Sequence, residues 1–278
     1  KFNDIMKKFY EDEMLGIQQE DAPANSVAAG GVDMAPNAVS KKKCDNYVKK
    51  ANEIINIFIK KKIQLNSTCQ IIKNPFNRNK IFLDLIYHPT VDQILKNLLN
   101  ETYALINTSL INRKKINIKN SSKEIIGKTW HHDSRIINNE RLPKGIFYIA
   151  WLLLNDYTDD NCSTLYVPNS HKIRKPGRPK RNFNYKFKKL KGERGTIFII
   201  DAGLWHKGGE ATKLDRWLSA SYYGPWFVKP YYEYPKMKNI INCKNKKIKK
   251  LMHLDYWPKN RESYSKVKGT LPKKYQRY

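Results

Sequence analysis

The residues of this sequence that are best arranged to bind a metal ion lie in Lys128–Ser134, which reads Lys-Thr-Trp-His-His-Asp-Ser. Side chains of an extended strand alternate between its two faces, so His131 and Asp133 would point to one side and His132 to the other. One imidazole nitrogen and one carboxylate oxygen on the same face provide two ligands. A third ligand must come from a strand that lies beside this one.

The predicted third ligand is His206. It ends the run Gly195–His206, which is typical of an apolar strand followed by a glycine-containing turn. Arg216 follows ten residues later and opens another strand-like run. His171 is a rival third ligand, but it lies only 38 residues after Asp133 and no arginine on an apolar strand follows it.

The combination of His131, Asp133 and His206 indicates a particular chemistry. Two histidines and one carboxylate that leave coordination positions open form the facial triad of non-haem Fe(II) oxygenases. Arg216, one strand beyond His206, could hold a carboxylate through two parallel hydrogen bonds. A single His-x-Asp sequence often arises by chance, so this interpretation depends on the wider pattern.

The wider pattern resembles the phytanoyl-CoA dioxygenase family of Fe(II)/2-oxoglutarate oxygenases, which includes the ectoine hydroxylases. The resemblance covers the chain from Asn79 to Tyr223, in the family's order and at comparable spacing. The third of its four stretches reads Pro-Asn-Ser-His where the family usually has Pro-Gly-Ser-His. The four stretches are Phe82–Leu95, Thr129–Asp133, Leu165–Lys172, and Leu204–His206 followed by Arg216.

Many short strands preceded by helices favour a mainly β fold with flanking helices, a two-sheet jelly roll. The resemblance makes this the double-stranded β-helix. It implies Fe(II) on the three ligands, dioxygen at an open position, and 2-oxoglutarate with its far carboxylate on Arg216. Asn112 matches an asparagine that contacts 2-oxoglutarate in ectoine hydroxylases, although an ordinary polar strand end is the alternative. No further catalytic residue is predicted.

Two positions bear on the reaction. Asp133 favours hydroxylation of a C–H bond, because the related halogenases have Gly or Ala at this place. Gly208 departs from several relatives, in which a hydroxyl side chain helps to hold the co-substrate. The formal charge of +28 suits a small anionic substrate, although a lysine-rich codon bias would produce the same charge.

Two other functions stay open. The tract His171–Lys191 interleaves aromatic and basic side chains, as nucleic-acid contact surfaces do, although a solvated loop is the alternative. A non-catalytic basic jelly-roll protein could therefore bind nucleic acid. We do not favour this, because such a protein has no reason to keep the triad and Arg216. The other open function is that of a virion-associated protein that is attached through residues 1–43.

Composition divides the chain into two parts. Residues 1–43 are acidic and contain Ala, Gly and Pro, which predicts a flexible leader. Residues 44–278 are predicted to form the dioxygenase domain, with helices at Tyr47–Ile63 and Leu83–Leu99 and a basic tail from Lys236. The four cysteines are scattered, and no signal peptide or membrane-spanning run is present. We therefore expect a cytoplasmic protein without membrane association; its oligomeric state is not predicted.

Overall fold

The computed structural model describes residues 32–65, 69–99, 102–115, 130–134, 145–159, 161, 163–172, 185–209 and 214–254. Two antiparallel sheets lie face to face within these residues, and helices cover the outer face of the larger sheet. The predicted mainly β fold with flanking helices is confirmed.

The larger sheet has six strands in the order β1-β7-β4-β9-β3-β2, and the smaller sheet has three in the order β6-β5-β8. All of these neighbours are antiparallel. The strands are β1 Val32–Ala35, β2 Cys69–Lys73, β3 Tyr103–Arg113, β4 Tyr148–Leu153, β5 Leu165–Tyr166, β6 Lys188–Lys189, β7 Ile197–Asp201, β8 His206–Lys207 and β9 Arg216–Pro225.

The longest helix, α1, begins after Ser40, whose hydroxyl accepts a hydrogen bond from the Lys43 N–H and so caps the first turn. None of the helices in the described ranges has the length and apolar character required to cross a membrane. The helices are α1 Lys41–Lys60, α2 Pro75–Arg78, α3 Pro89–Leu99, α4 Lys238–Ile241 and α5 Lys246–Leu251, with 3-10 turns at Lys80–Leu85, Ser170–Lys172 and Tyr234–Lys236.

Each face of the larger sheet packs against a different layer. Strand β9 shows this clearly, because its side chains alternate between the two faces. Trp217 and Tyr223 belong to the core beneath the helices. Leu218 and Tyr222 belong to the core between the two sheets. We call the face that turns towards the smaller sheet the inner face.

Parts of the predicted leader and of the predicted basic tail form ordered structure, while residues 255–278 lie outside the described residues. Within the predicted flexible leader, Val32–Ala35 pairs with Ile197–Ile200 and Val39 packs against the core, while residues 1–31 lie outside the described residues. Within the predicted basic tail, α4 and α5 bury Ile240, Ile248 and Leu251. Backbone pairing orders the first segment, and a few well-spaced apolar side chains among many lysines order the second.

The connection from β1 to α1 depends on Gly195. This residue has a φ of 93°, and a β-carbon added to it would lie 2.0 Å from the carbonyl oxygen of Val39. The Val39 N–H donates to the Gly195 carbonyl at 3.0 Å, which holds the two segments together. No side chain larger than hydrogen fits between them.

Gly195→Ala is therefore expected to destabilise the fold strongly. The backbone conformation alone costs about 1–3 kcal/mol for a residue other than glycine, and the contact with Val39 adds to this cost. Urea denaturation would measure the difference in the free energy of unfolding. Gly208→Ala is the matched control, because the nearest atom to its new β-carbon would be 3.4 Å away. Equal losses in the two variants would contradict the argument.

Candidate metal centre

The backbone brings the first and third predicted ligands side by side. His131 and His206 form an antiparallel bridge, with the His131 N–H donating to the His206 carbonyl at 3.0 Å and the reverse bond at 2.8 Å. The bridge extends the smaller sheet beyond β8. The Asp133 N–H donates to the carbonyl of Ala202 at 2.9 Å, which holds the second ligand against the turn after β7.

The three predicted ligands form one compact group. Oδ1 of Asp133 lies 3.9 Å from Nε2 of His131, and Oδ2 lies 3.6 Å from Nε2 of His206. One possible ligand atom from each residue lies within 4.8 Å of the other two. No other set of three such residues in the described ranges satisfies this criterion. The side chains of His131 and Asp133 are 45% and 40% exposed, so the group is accessible from their side.

His206 is fixed in the form that binds a metal through Nε2. Its Nδ1 atom lies 2.9 Å from the carbonyl oxygen of Leu204. A carbonyl can only accept a hydrogen bond, so Nδ1 carries the proton and Nε2 presents its lone pair towards Asp133. The edge of the Trp151 ring packs against the imidazole, with the ring centroids 5.1 Å apart. The hydrogen bond to the Leu204 carbonyl is of the kind that orients a metal-binding imidazole.

Burial also keeps His206 neutral at physiological pH. His206 is only 5% exposed, and its removal from water lowers the pKa of the imidazole from 6.5 to about 4. The nearby Asp133 carboxylate opposes this shift, and His131 adds to it. A neutral imidazole is the form that a metal ion requires.

The lowered pKa of His206 predicts how the stability of the metal-free protein depends on pH. As the pH falls, the His206 imidazole binds a proton near pH 6.5 in the unfolded chain, whereas in the folded chain it stays neutral until about pH 4. The unfolded state binds more protons in this window, so the stability is fully present above pH 6.5 and is lost as the pH falls to about 4. The expected loss is on the order of 3 kcal/mol. Burial of His253 lowers its pKa and acts in the same direction.

Urea denaturation of the metal-free protein at pH 7 and pH 5 would measure this effect. His206→Asn removes the titrating group, so its free energy of unfolding is expected to fall less between the two pH values. Equal falls in the parent and the variant would show that His206 is not the group responsible.

Arg216 lies at the start of β9 on the inner face, the face that carries Leu218 and Tyr222. It is 3% exposed, and its guanidinium carbon lies 4.5 Å from the centroid of the Tyr157 ring. Tyr157 is itself held by a backbone bridge to Gly192. The position suits a buried cation that faces the space between the sheets.

Asn112, the predicted 2-oxoglutarate contact, lies on the opposite face of the larger sheet from Arg216. Asn112 is the register partner of Trp217, and partners directly opposite share a face, so it points towards the helical layer. It is 1% exposed, and its Nδ2 donates to Oε1 of Gln70 at 3.1 Å. The structure therefore separates Asn112 from the ligand group and from Arg216.

Arg113, which was not among the predicted site residues, lies on the inner face instead. It is the register partner of Arg216. Its guanidinium also approaches Gly208, two residues beyond His206: a β-carbon added there would lie 3.4 Å from Nη2. The position of Arg113 at the end of a strand was the one signal for it, because the bulge in β3 makes alternation along the strand insufficient.

A row of aromatic rings also leads away from the ligand group, and no sequence pattern links these rings to the ligands. The Tyr222 hydroxyl donates to the Asp133 carbonyl at 3.4 Å. Its ring stacks on Phe147 and Tyr231 with centroid distances of 5.5 and 6.4 Å. Tyr231 is exposed, so the rings connect the ligand segment with the surface.

His171 is not part of the ligand group. It lies in the 3-10 turn Ser170–Lys172 and packs near Gly203, where an added β-carbon would be 3.8 Å from the His171 Cβ. Residues 173–184 of the predicted basic tract lie outside the described residues.

Solved structures with a similar fold include those of SnoN, HygX and SnoK. SnoN, an alpha ketoglutarate dependent epimerase from nogalamycin biosynthesis, has a TM-score of 0.56 at 15% identity, over 72% of this chain and 80% of that chain. HygX from Streptomyces hygroscopicus, with nickel and 2-oxoglutarate bound, has a TM-score of 0.56 at 14% identity, over 78% of this chain and 94% of that chain. SnoK, a carbocyclase from nogalamycin biosynthesis, has a TM-score of 0.57 at 13% identity, over 74% of this chain and 85% of that chain. The shared fold confirms the predicted jelly roll.

The sequence itself identifies the family. No curated protein matches the chain. A family model described as phytanoyl-CoA dioxygenase (PhyH) matches residues 30–216, which is more than half of the chain and includes both strands of the ligand group and Arg216. The chain belongs to the phytanoyl-CoA dioxygenase family.

Proposed function

We propose that this protein is an Fe(II)- and 2-oxoglutarate-dependent dioxygenase that hydroxylates a C–H bond of a small molecule. One observation carries the proposal: His131, Asp133 and His206 place their ligand atoms within 4.8 Å of one another in a member of this family. The donor set fits Fe(II), because two imidazoles and one carboxylate on one side leave positions for a co-substrate and dioxygen.

The metal centre, when loaded, supplies oxidative chemistry that no side chain can provide. The protein supplies position and protonation state. His206 is held as the neutral Nδ1–H form by Leu204, and Asp133 is held by its backbone bond to Ala202. Arg216 offers a planar pair of N–H donors on the inner face, which suits a carboxylate of 2-oxoglutarate.

An anionic substrate is supported by the charge of the chain. The formal charge of +28 raises the local concentration of anions around the protein and speeds their arrival, an effect that salt suppresses. If the substrate is an anion, the second-order rate constant for its turnover should fall as the ionic strength rises.

The first test is anaerobic. Addition of Fe(II) and then 2-oxoglutarate should produce a weak visible charge-transfer band, and oxygen should then yield succinate. Two proteins of similar fold are named as an epimerase and a carbocyclase, so product analysis is also required. Hydroxylation predicts that the substrate gains one oxygen atom. Confirmed bound iron without a band would refute the proposal.

A further inference from the structure

A cavity of about 290 Å³ lies on the side of the larger sheet that faces the helices. Strands β4, β7 and β9 form its floor, and residues of helices α1, α3 and α5 form part of its wall. Strand β9 lines it with Ser219 and Tyr223, whereas His206 packs against Trp151 of the core between the two sheets. The cavity and the metal centre therefore lie on opposite sides of the larger sheet.

Three small side chains on the floor create the space. Ala150 of β4 is the register partner of Ser221 of β9, and Ser219 is the partner of Leu152. Partners directly opposite each other share a face, so Ala150, Ser219 and Ser221 lie together beneath the helices. Packed cores contain few voids larger than a water molecule. A space of this size with polar groups in its lining has the character of a ligand pocket.

The floor also carries a hydroxyl group that is available to a ligand. Ser221 donates to the Leu85 carbonyl at 2.9 Å. Tyr223 donates to the Ile86 carbonyl at 2.8 Å, so both of these hydroxyls are used within the protein. Ser219 is 2% exposed, and within the described part of the chain its hydroxyl makes no hydrogen bond. Because a buried polar group without a partner is costly, Ser219 would gain from a ligand that supplies one.

The rest of the lining favours a neutral ligand. At the mouth, Nζ of Lys43 lies 2.7 Å from Oδ2 of Asp84, and these side chains are 45% and 52% exposed. The paired cation and anion leave no net charge to attract an ionic ligand. Deeper in the cavity, Val91, Leu152 and Ile248 provide buried apolar surface. The cavity thus differs from the surface of a chain whose formal charge is +28.

The volume limits the size of the apolar part. A cavity of about 150 Å³ can hold one benzene molecule, so 290 Å³ leaves room for two fused rings. We propose that this cavity binds a small neutral molecule that has an apolar body of about this size and one hydroxyl group, which Ser219 recognises. The site is separate from the metal centre and does not depend on the proposed reaction.

The test measures the binding of 2-naphthol and of naphthalene by isothermal titration calorimetry. Both compounds have two fused rings, but naphthalene lacks the hydroxyl group. The parent should bind one molecule of 2-naphthol, and more tightly than naphthalene. A neutral hydrogen bond corresponds to about 2- to 12-fold in dissociation constant, so Ser219→Ala should weaken 2-naphthol by that factor. Its affinity for naphthalene should stay at the parent value.

Two further variants locate the bound compound. Ala150→Leu places a larger side chain in the cavity and should weaken both compounds by roughly 10-fold or more. Ala150→Val makes a smaller change in the same direction and replaces it if Ala150→Leu does not fold. Ser109→Ala is the matched control for Ser219→Ala, because Ser109 is a buried serine opposite Ala220 on the inner face. It should leave both dissociation constants unchanged.

Three results would overturn this inference. A parent that binds neither compound would do so, since a cavity that holds only water predicts that result. Binding of 2-naphthol to the Ala150 variant with the parent affinity would show that the compound lies elsewhere. If Ser219→Ala weakens both compounds equally, or neither, Ser219 does not recognise the hydroxyl group. The proposed function is tested separately by the anaerobic band.

Discussion

Replacement of His206 by alanine is expected to abolish the visible band that Fe(II) and 2-oxoglutarate produce together. His206 is the buried member of the proposed ligand set, and its Nε2 lies 3.6 Å from Oδ2 of Asp133. Loss of a hydrogen-bond partner outside a ligand set costs about 10- to 100-fold in metal affinity, so loss of a ligand should cost more. Anaerobic Fe(II) titration, with bound iron measured separately from the band, gives both quantities.

His171→Ala is the control for this experiment. His171 also follows a strand of the smaller sheet and lies near the turn that leads to His206, but it is outside the ligand group. The variant should bind iron and form the band as the parent does. If His171→Ala loses the band while His206→Ala keeps it, the proposed ligand set is wrong.

The ligand group could be predicted because it depends on short-range rules. His131 and Asp133 are two residues apart, and alternation along an extended chain places them on one side whatever the rest of the fold does. His206 was identified from the apolar strand and turn that precede it. The compact group that these three residues form required only that two strands lie side by side.

The choice between Asn112 and Arg113 could not be made from alternation alone. The pairing of β3 with β9 shifts by one residue between Leu105 and Asn107. Such a bulge reverses the faces of all residues that follow it. Leu105, before the shift, belongs to the core beneath the helices; without the shift Arg113 would share that face and Asn112 would take the inner face. Nothing in the local sequence marks the position of this bulge.

The order at the two ends of the domain also depends on distant parts of the chain. Strand β1 exists because β7 offers an edge for backbone pairing, which requires no particular side chains in residues 32–35. Composition therefore predicted flexibility there. In α5 the apolar residues Ile248 and Leu251 are separated by lysines, and only contact with the core shows which face is buried.

Arg216→Met is expected to weaken 2-oxoglutarate binding more than any other change outside the metal ligands. Arg216 is 3% exposed, so its hydrogen bonds to a carboxylate would form largely away from water. Loss of one partner of a buried charge pair costs about 2–5 kcal/mol, which corresponds to roughly 30- to 5,000-fold in dissociation constant. Anaerobic titration of the Fe(II)-loaded variant with 2-oxoglutarate measures this factor.

Two further variants test why Arg216 is effective. Arg216→Lys keeps the charge but loses the planar fork, so we expect intermediate affinity. Tyr157→Leu keeps the guanidinium but removes the ring that lies 4.5 Å from it, and the loss of this cation–π contact should cost up to about 2 kcal/mol. Iron binding should be unchanged in all three variants. If Arg216→Met binds 2-oxoglutarate with the affinity of the parent, the far carboxylate does not bind to Arg216, and the proposed role of this residue is wrong.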